Sequence, residues 1–257
     1  MSSGINGDAR SILDLIFNDV KNSAEAPHKR LDIFTLEALS TGQIVLNTTK
    51  NPDGMVTEDA IDFGVPAGNF ETATAIWSTG GTSSKPITDI MAIVEEAAGQ
   101  GVIFDRMMMR RSVFNYMRLC DEVKDYVSNW RIGSAQAEVN TTLALVNQFL
   151  QAEGLPRIVL VEASVDIEKD GVTSAYNPWD ADNVTFVPAG MMGDMLNAPI
   201  MERMFPAKHV TYAEANRVLI KKWSETDPLK EYTACELNAF PSWKNADKCW
   251  ILDTEST

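Results

Sequence analysis

Histidine and cysteine are scarce in this chain: two histidines, His28 and His209, and three cysteines, Cys120, Cys235 and Cys249, among 257 residues. A nucleophilic triad needs a base beside its nucleophile. Neither histidine stands in a motif that supplies one, and both read as surface or helix-packing residues. The GxSxG elbow, the P-loop and GxGxxG are all missing, which removes the commonest hydrolase and nucleotide-binding readings. The cysteines show no CxxC spacing, and an odd number without a secretory leader implies free thiols in a reducing compartment. No apolar run approaches the roughly 20 residues of a membrane span, so a soluble protein, intracellular when made and without a membrane partner, is expected. Positive charge is also short. The 22 Lys and Arg against 36 Asp and Glu leave a net charge of −14, whereas duplex binding rests on clustered cations, so sequence-specific nucleic-acid recognition is not expected.

What is present is enough apolar content, 45%, to build one large domain or two ordinary ones. Met1 to Gly7 is small and polar and reads as a flexible start or an expression remnant. Ile12, Leu13, Ile16, Phe17 and Val20 then recur at three- and four-residue spacings and Leu31, Phe34, Ala38 and Leu39 resume the stripe, predicting a helix over 8–41 ended by Gly42. At about 1.5 Å per residue it is around 50 Å long, and Pro27 predicts a kink or interruption within it. Gln43–Thr48 and Thr57–Val65 predict a long hairpin around the Asn51–Gly54 turn. Trp77 precedes the small-residue loop STGGTSSKP, which marks a domain boundary before a helix over 87–98.

Further on, 101–109 predicts a strand, 112–119 a short helix capped by Ser112, and 135–152 an amphipathic helix. Arg157–Glu168 and Val172–Tyr176 form a hairpin about an Asp-Gly turn, and Asn183–Val187 is a short apolar strand stopped by Pro188, Ala189 and Gly190. The Met-rich stretch 191–204 reads as core filling. Tyr232–Phe240 and Lys248–Asp253 read as two closing strands.

Few residues offer chemistry. Asp166, Glu168, Asp170 and Gly171 look like a calcium loop, but Glu168 stands where Asp or Asn belongs and Asn177 where the bidentate Glu belongs, so a solvated turn is the better reading. Asp180 and Asp182, with Asp166 or Glu162, supply the carboxylates for an alternative function, an α/β enzyme acting as a carboxylate-dependent hydrolase with its site near Asp180. Arg106, Arg110, Arg111 and Arg118 form the single basic cluster. In an acidic chain the planar guanidinium is expected to meet carboxylates within the protein or on a neighbouring subunit, so these four are the candidate subunit contacts. Nothing in the sequence implies a cofactor or metal.

Four stretches carry a family resemblance in order along the chain: LEALSTGQIV at a helix end, WSTGGTSSKPITDI, the hairpin followed by NVTFVPAG, and the closing strand KCWILDT. Together they resemble the lambda-type major capsid proteins of tailed double-stranded-DNA bacteriophages. The resemblance implies an α+β fold of the tailed-phage, Hong Kong 97-like type. Residues 1–83 would form a peripheral domain with spine helix 8–41 and a β-hairpin, 84–204 an axial domain, and 205–257 a return segment completing both. It implies a non-enzymatic head subunit, made in the bacterial host cytoplasm and resident in the virion, whose partners are copies of itself in hexamers and pentamers, with scaffold and portal proteins. Family members carry an N-terminal arm and an extended loop before the spine helix. Here the helix starts directly after MSSGING, so the chain reads as truncated or processed, and by itself it is expected to be a monomer or small oligomer.

Overall fold

The structure, a computed structural model, describes residues 5–47, 60–133, 140–169 and 172–256. The Asn51–Gly54 turn, the Asp170–Gly171 turn, and the first residues of the helix expected over 135–152 lie outside the described residues. In chain order the elements are α1 Ile5–Thr41, β1 Gln43–Ile44, β2 Ile61–Asp62, β3 Phe70–Thr72, α2 Pro86–Gly99, β4 Phe104–Met109, α3 Arg111–Leu119, α4 Asp121–Ile132 and α5 Leu143–Ala152. There follow β5 Arg157–Leu160, β6 Val165–Lys169, β7 Val172–Tyr176, β8 Asn183–Pro188, β9 Gly193–Asn197, α6 Met201–Met204, β10 Thr211–Ala215, β11 Val218–Thr226, β12 Leu229–Glu236, β13 Ala239–Trp243 and β14 Trp250–Asp253. Helix and sheet are mixed, as an α+β class requires.

The chain divides into two compact units, Met1–Ile33 with Met195–Ser242, and Phe34–Asp194 with Trp243–Thr257. In the first, β10, β11 and β12 form an antiparallel three-stranded sheet, in which Trp223 and Tyr232, directly opposite each other, stack at 5.3 Å. In the second, a five-stranded sheet runs in the order β3-β14-β8-β4-β5. Its centre, β8, is antiparallel to β14 on one side and β4 on the other, while β3 and β5 close the edges in parallel. Val184, Thr185, Phe186 and Val187 of β8 are all buried, the continuous apolar run expected of a strand covered on both faces.

The last turn of α1 is fixed to that central strand. Gly42 ends the helix at φ 77°, a left-handed conformation glycine adopts without strain, and its N–H donates to Ala38 O at 2.8 Å. A Cβ there would stand 3.1 Å from Phe70 and 3.3 Å from Val65. The terminal carbonyls of Leu39 and Ser40 accept from Thr185 Oγ1 and Asn183 Nδ2, each at 2.8 Å.

A second set of bonds holds α2. Its N-cap, Lys85, makes no side-chain cap. Glu122, buried in the first turn of α4, supplies the acceptor instead: Oε2 takes the N–H of Ile87 at 2.8 Å and of Thr88 at 3.4 Å, and Oε1 takes the Thr88 hydroxyl. Asp89 in the same helix accepts from the Trp77 indole at 2.9 Å and the Thr74 hydroxyl at 2.6 Å. The small-residue loop after Trp77 is stitched into this core, with Ser84 Oγ donating to Ile76 O at 2.6 Å and Asp121 N to Gly81 O at 3.0 Å. At the sheet edge Asn147 of α5 serves both backbone groups of Ile158, accepting at 2.7 Å and donating at 3.0 Å, which masks an otherwise open ladder.

Several sequence expectations are corrected. Pro27 lies inside α1 but does not interrupt it; it removes one ladder bond, and the turns on either side carry the helix through. Arg110, not Ser112, is the N-cap residue of α3, and it makes no side-chain cap. The last helix of that region starts at Leu143, because Thr142 caps it by accepting from Leu145 N at 3.4 Å. Arg157–Glu168 splits into β5, paired to β4, and β6, paired to β7, and Tyr232–Phe240 splits between β12 and β13. Met191, Met195, Met201 and Met204 are exposed rather than core. They lie on short surface elements with no apolar face deep enough to bury, and Met107, Met109 and Met117 fill the core instead.

Because Glu122 alone serves two N–H donors at the start of α2, Glu122→Ala should cost about 2 to 3 kcal/mol of stability in urea denaturation followed by tryptophan fluorescence. Glu122→Gln, which keeps one acceptor, should cost less than half of that.

Candidate functional site

The four arginines singled out by sequence sit on β4 and α3 and divide by what they hold. Burial along β4 does not alternate strictly, because a bulge between Phe104 and Arg106 shifts its register against β8. Asp105 is thereby turned outward between two guanidiniums, with Arg106 at 3.9 Å and Arg157 at 3.7 Å. Arg110 follows the strand and is spent internally. Its Nη2 donates to the carbonyl of Trp179 and, at 3.3 Å, to that of Asn177, clamping the N-P-W-D loop around the fully buried Trp179.

Arg111 and Arg118 are different. They are seven residues apart on α3, two turns, and so share one face with the buried Phe114 between them, Arg111 exposed and Arg118 half-buried. Arg111 pairs with Glu162, and the hydrogen bond more than the charge holds Glu162 below the usual carboxylate range and raises Arg111. Arg118 has no ion pair among the described residues. Tyr116 and Leu119 are exposed on the same helix, and Tyr126 and Trp130 of α4 are each 42% exposed, leaning on Phe149 at 5.9 and 6.4 Å. Arginine, tyrosine and tryptophan on outward helix faces are the composition of protein contact surfaces.

Tyr126 and Trp130 were missed by sequence reasoning because α4 itself was missed. The signal was there: Val123 and Val127 at helical spacing, Asp121 and Glu122 in the first turn, Arg131 in the last and Gly133 beyond it in a left-handed cap.

The acidic residues proposed as a hydrolase site do not gather as expected. Glu162 is on Arg111. Asp180 and Asp182 form one tight turn, with Asp182 N donating to Asp180 Oδ1 at 3.0 Å, while Asp180 N donates to Ser40 Oγ at 3.1 Å. The Asp182 carbonyl accepts from Thr254 N and Oγ1 at 3.1 and 2.8 Å, which brings in Asp253 and Glu255. Burial first, then the charges of Asp180, Glu255 and Asp253, raise the Asp182 carboxyl. Burial also pushes on Asp253, but hydrogen bonds from Ser256 and from the Glu255 and Ser256 N–H groups leave it lowered. The corner is built from its own turns. All three cysteines are free, and burial pushes the Cys249 thiol up to about 12, so it stays protonated and unreactive.

The carboxylates of Asp89, Glu122, Asp180 and Asp253 are thus occupied in holding turns and helix ends, while Arg111, Tyr116, Tyr126 and Trp130 face outward. That defines a class, a mixed helix-and-sheet structural subunit suited to meeting other protein surfaces. The family is particular: the family model of phage major capsid protein E matches residues 2–254, nearly the whole chain, and the chain belongs to that family. No curated protein matches it. The protein is therefore a structural capsid subunit of a bacteriophage, a component of the virion that self-assembles with its copies, and not an enzyme. The hydrolase reading near Asp180 is set aside on the same ground.

Raising Asp182 means that its ionised form is tolerated less in the folded chain than in the unfolded one. At pH 7 it is ionised in both states and the penalty falls on folding; below the ordinary 3.8 it is protonated in both and the penalty vanishes. Asp182→Asn should therefore raise the thermal midpoint at pH 7 and leave it unchanged near about pH 3, read by calorimetry at the two pH values.

Proposed function

We propose that the chain adopts the Hong Kong 97-like capsid fold and tiles as hexamers and pentamers into an icosahedral head enclosing double-stranded DNA. The carrying observation is that the four family-like stretches, scattered through the sequence, meet in one unit. The helix end LEALSTGQIV is bonded through Leu39 and Ser40 to NVTFVPAG, which pairs as β8 with KCWILDT as β14. Trp77 N, at the head of WSTGGTSSKPITDI, donates to Thr254 O at 3.0 Å. On this reading α1 is the spine of a peripheral domain over 1–83, 84–204 is axial and 205–257 is the return segment. Scaffold and portal proteins are further partners, and heads form in the host cytoplasm.

The arginines then act at contacts between copies. Arg111 and Arg118, beside Tyr116 and Leu119, face the neighbouring subunit, and Arg106 and Arg110 hold the surface behind them in shape. With a net charge of −14, the neighbour offers carboxylates in excess. An acidic shell would also enclose DNA without gripping it.

Arg118 is the sharper test because it has no ion pair among the described residues. Arg118→Glu should weaken self-association at least about tenfold, equivalent to about 1.4 kcal/mol, in light scattering of the full-length protein. Salt should weaken the parent's association more than the variant's. Assembly of the variant at the parent's concentration removes this face from the contact.

A further inference from the structure

The unit holding the three-stranded sheet carries a feature that none of the above uses. Residues 195–242 hold six basic and six acidic side chains, so their balance is zero and the whole charge of −14 resides on the rest of the chain. The segment 197–206 lies across one face of the β10-β11-β12 sheet, fastened by Arg203 to Glu214 at 3.3 Å and by Lys221 to Glu202 at 2.9 Å. Two cavities open between segment and sheet. One, of about 330 Å³, has Pro199, Ile200, Leu219 and Leu237 on its walls. Its neighbour, of about 230 Å³, shares Arg203, Glu214 and Leu219 with it, so the Arg203–Glu214 pair stands between two halves of one groove.

At one end is Arg217. It occupies the two-residue turn between β10 and β11, with Asn216 at φ 49° and Arg217 itself at φ 67°, a conformation that favours glycine or asparagine over arginine. It lines the larger cavity and has no ion pair among the described residues. Around the groove the chain exposes Leu196, Met201, Met204 and Phe205, each by more than half. An apolar cluster of this kind on a soluble subunit marks a surface that another protein covers.

We infer that this groove receives a second copy of the chain, through a segment that places a carboxylate on Arg217 and apolar side chains between the Met201–Phe205 turn and Leu219. Charge selects the occupant. Two acidic copies repel over most of their surfaces, and the neutral, apolar stretch with one unspent guanidinium is where a carboxylate-bearing neighbour meets least repulsion and one matching cation. Flexible thioethers at the rim let the same groove accept slightly different neighbours, which any closed shell with non-identical contacts requires. The inference rests on self-association of this family member, not on the arginine face of α3.

The test uses the full-length chain, with sedimentation velocity for association, circular dichroism for folding, and a photocrosslinker at Met201 for the occupant. Arg217→Glu should lower association at least about tenfold at unchanged melting temperature, Arg217→Gln should lower it less, and a Met201→Ser, Met204→Ser, Phe205→Ser triple variant should match Arg217→Glu. Lys222→Gln, on the opposite face of the sheet, should leave association unchanged. Crosslinks should join two copies, landing on an acidic segment. Parental association of both Arg217→Glu and the triple variant overturns the inference, as do crosslinks that stay within one chain, land on another protein or fail to form at millimolar concentration. If Arg118→Glu leaves association intact while Arg217→Glu abolishes it, the α3 face falls and the groove stands; the reverse result sinks the groove alone.

Discussion

The structure depends on how the last carbonyls of a 37-residue helix are satisfied. A helix end leaves four C=O groups without partners in the ladder, and burying them unpaired costs more than a single contact returns. Here Gly42 turns the chain so that its N–H takes Ala38 O, Thr185 and Asn183 take Leu39 O and Ser40 O, and the Thr41 hydroxyl donates to Glu37 O at 2.9 Å. Two of those donors belong to β8, the central strand of the five-stranded sheet. The helix end is consequently welded to the middle of the sheet and not to an edge. Glu37, whose Oε1 accepts from Val45 N at 3.1 Å, carries the same registration into the chain that leaves the helix. Whatever force reaches the helix end is delivered to the best-buried strand of the fold.

That use of polar groups explains the absence of enzymatic chemistry better than any missing motif does. Acid–base catalysis needs groups whose protonation is poised and whose lone pairs are free for substrate. Asp89 and Glu122 have their oxygens filled by indole, hydroxyl and amide donors, Asp253 by Ser256 and two N–H groups, and Asp180 by its own turn. The opposed shifts of Asp182 and Asp253, which in an enzyme would divide acid from base, here only record how a corner crowded with carboxylates distributes its hydrogen bonds. A subunit whose activity is contact needs rigid faces, and these internal carboxylates are what make the faces rigid.

Much of this was legible in the sequence where local physics and tertiary packing agree. The helix expected over 8–41 appears as α1 and β6 pairs with β7 as the hairpin, while the apolar run of β8 survives because it reports burial on both faces directly. Reading failed where a single residue punctuates the chain. Thr142 caps a helix that periodicity alone would have begun at Ala135, and Gly133 ends α4, which was never separated from its surroundings. The sheet β10-β11-β12 was mostly overlooked because its turn residues, Asn216 and Arg217, are not the Asn-Gly pair that announces such hairpins. Among the candidate site residues, the type of Arg110 was informative and its role was not. Only the fold shows that it is spent on the carbonyls of Asn177 and Trp179, while Arg118, alike in sequence, is left half-buried with no ion pair among the described residues.

Charge sets the final constraint. Copies of a chain with net charge −14 brought within a Debye length of each other, about 8 to 10 Å at ordinary salt, repel through every exposed acidic side chain. Apolar burial alone must then overcome a repulsion that grows with each added subunit. The cheapest solution is to keep the contact patches locally neutral and to leave a few guanidiniums, such as Arg118 and Arg217, with no ion pair among the described residues, so that each can meet a carboxylate when a neighbour arrives. Such a pair forms at the rim of the contact, where solvent still screens it, and therefore orients the neighbour more than it binds it. Association is then strong only in the register that aligns those few cations, which is how a chain acidic over most of its length can repeat one geometry many times without aggregating in others.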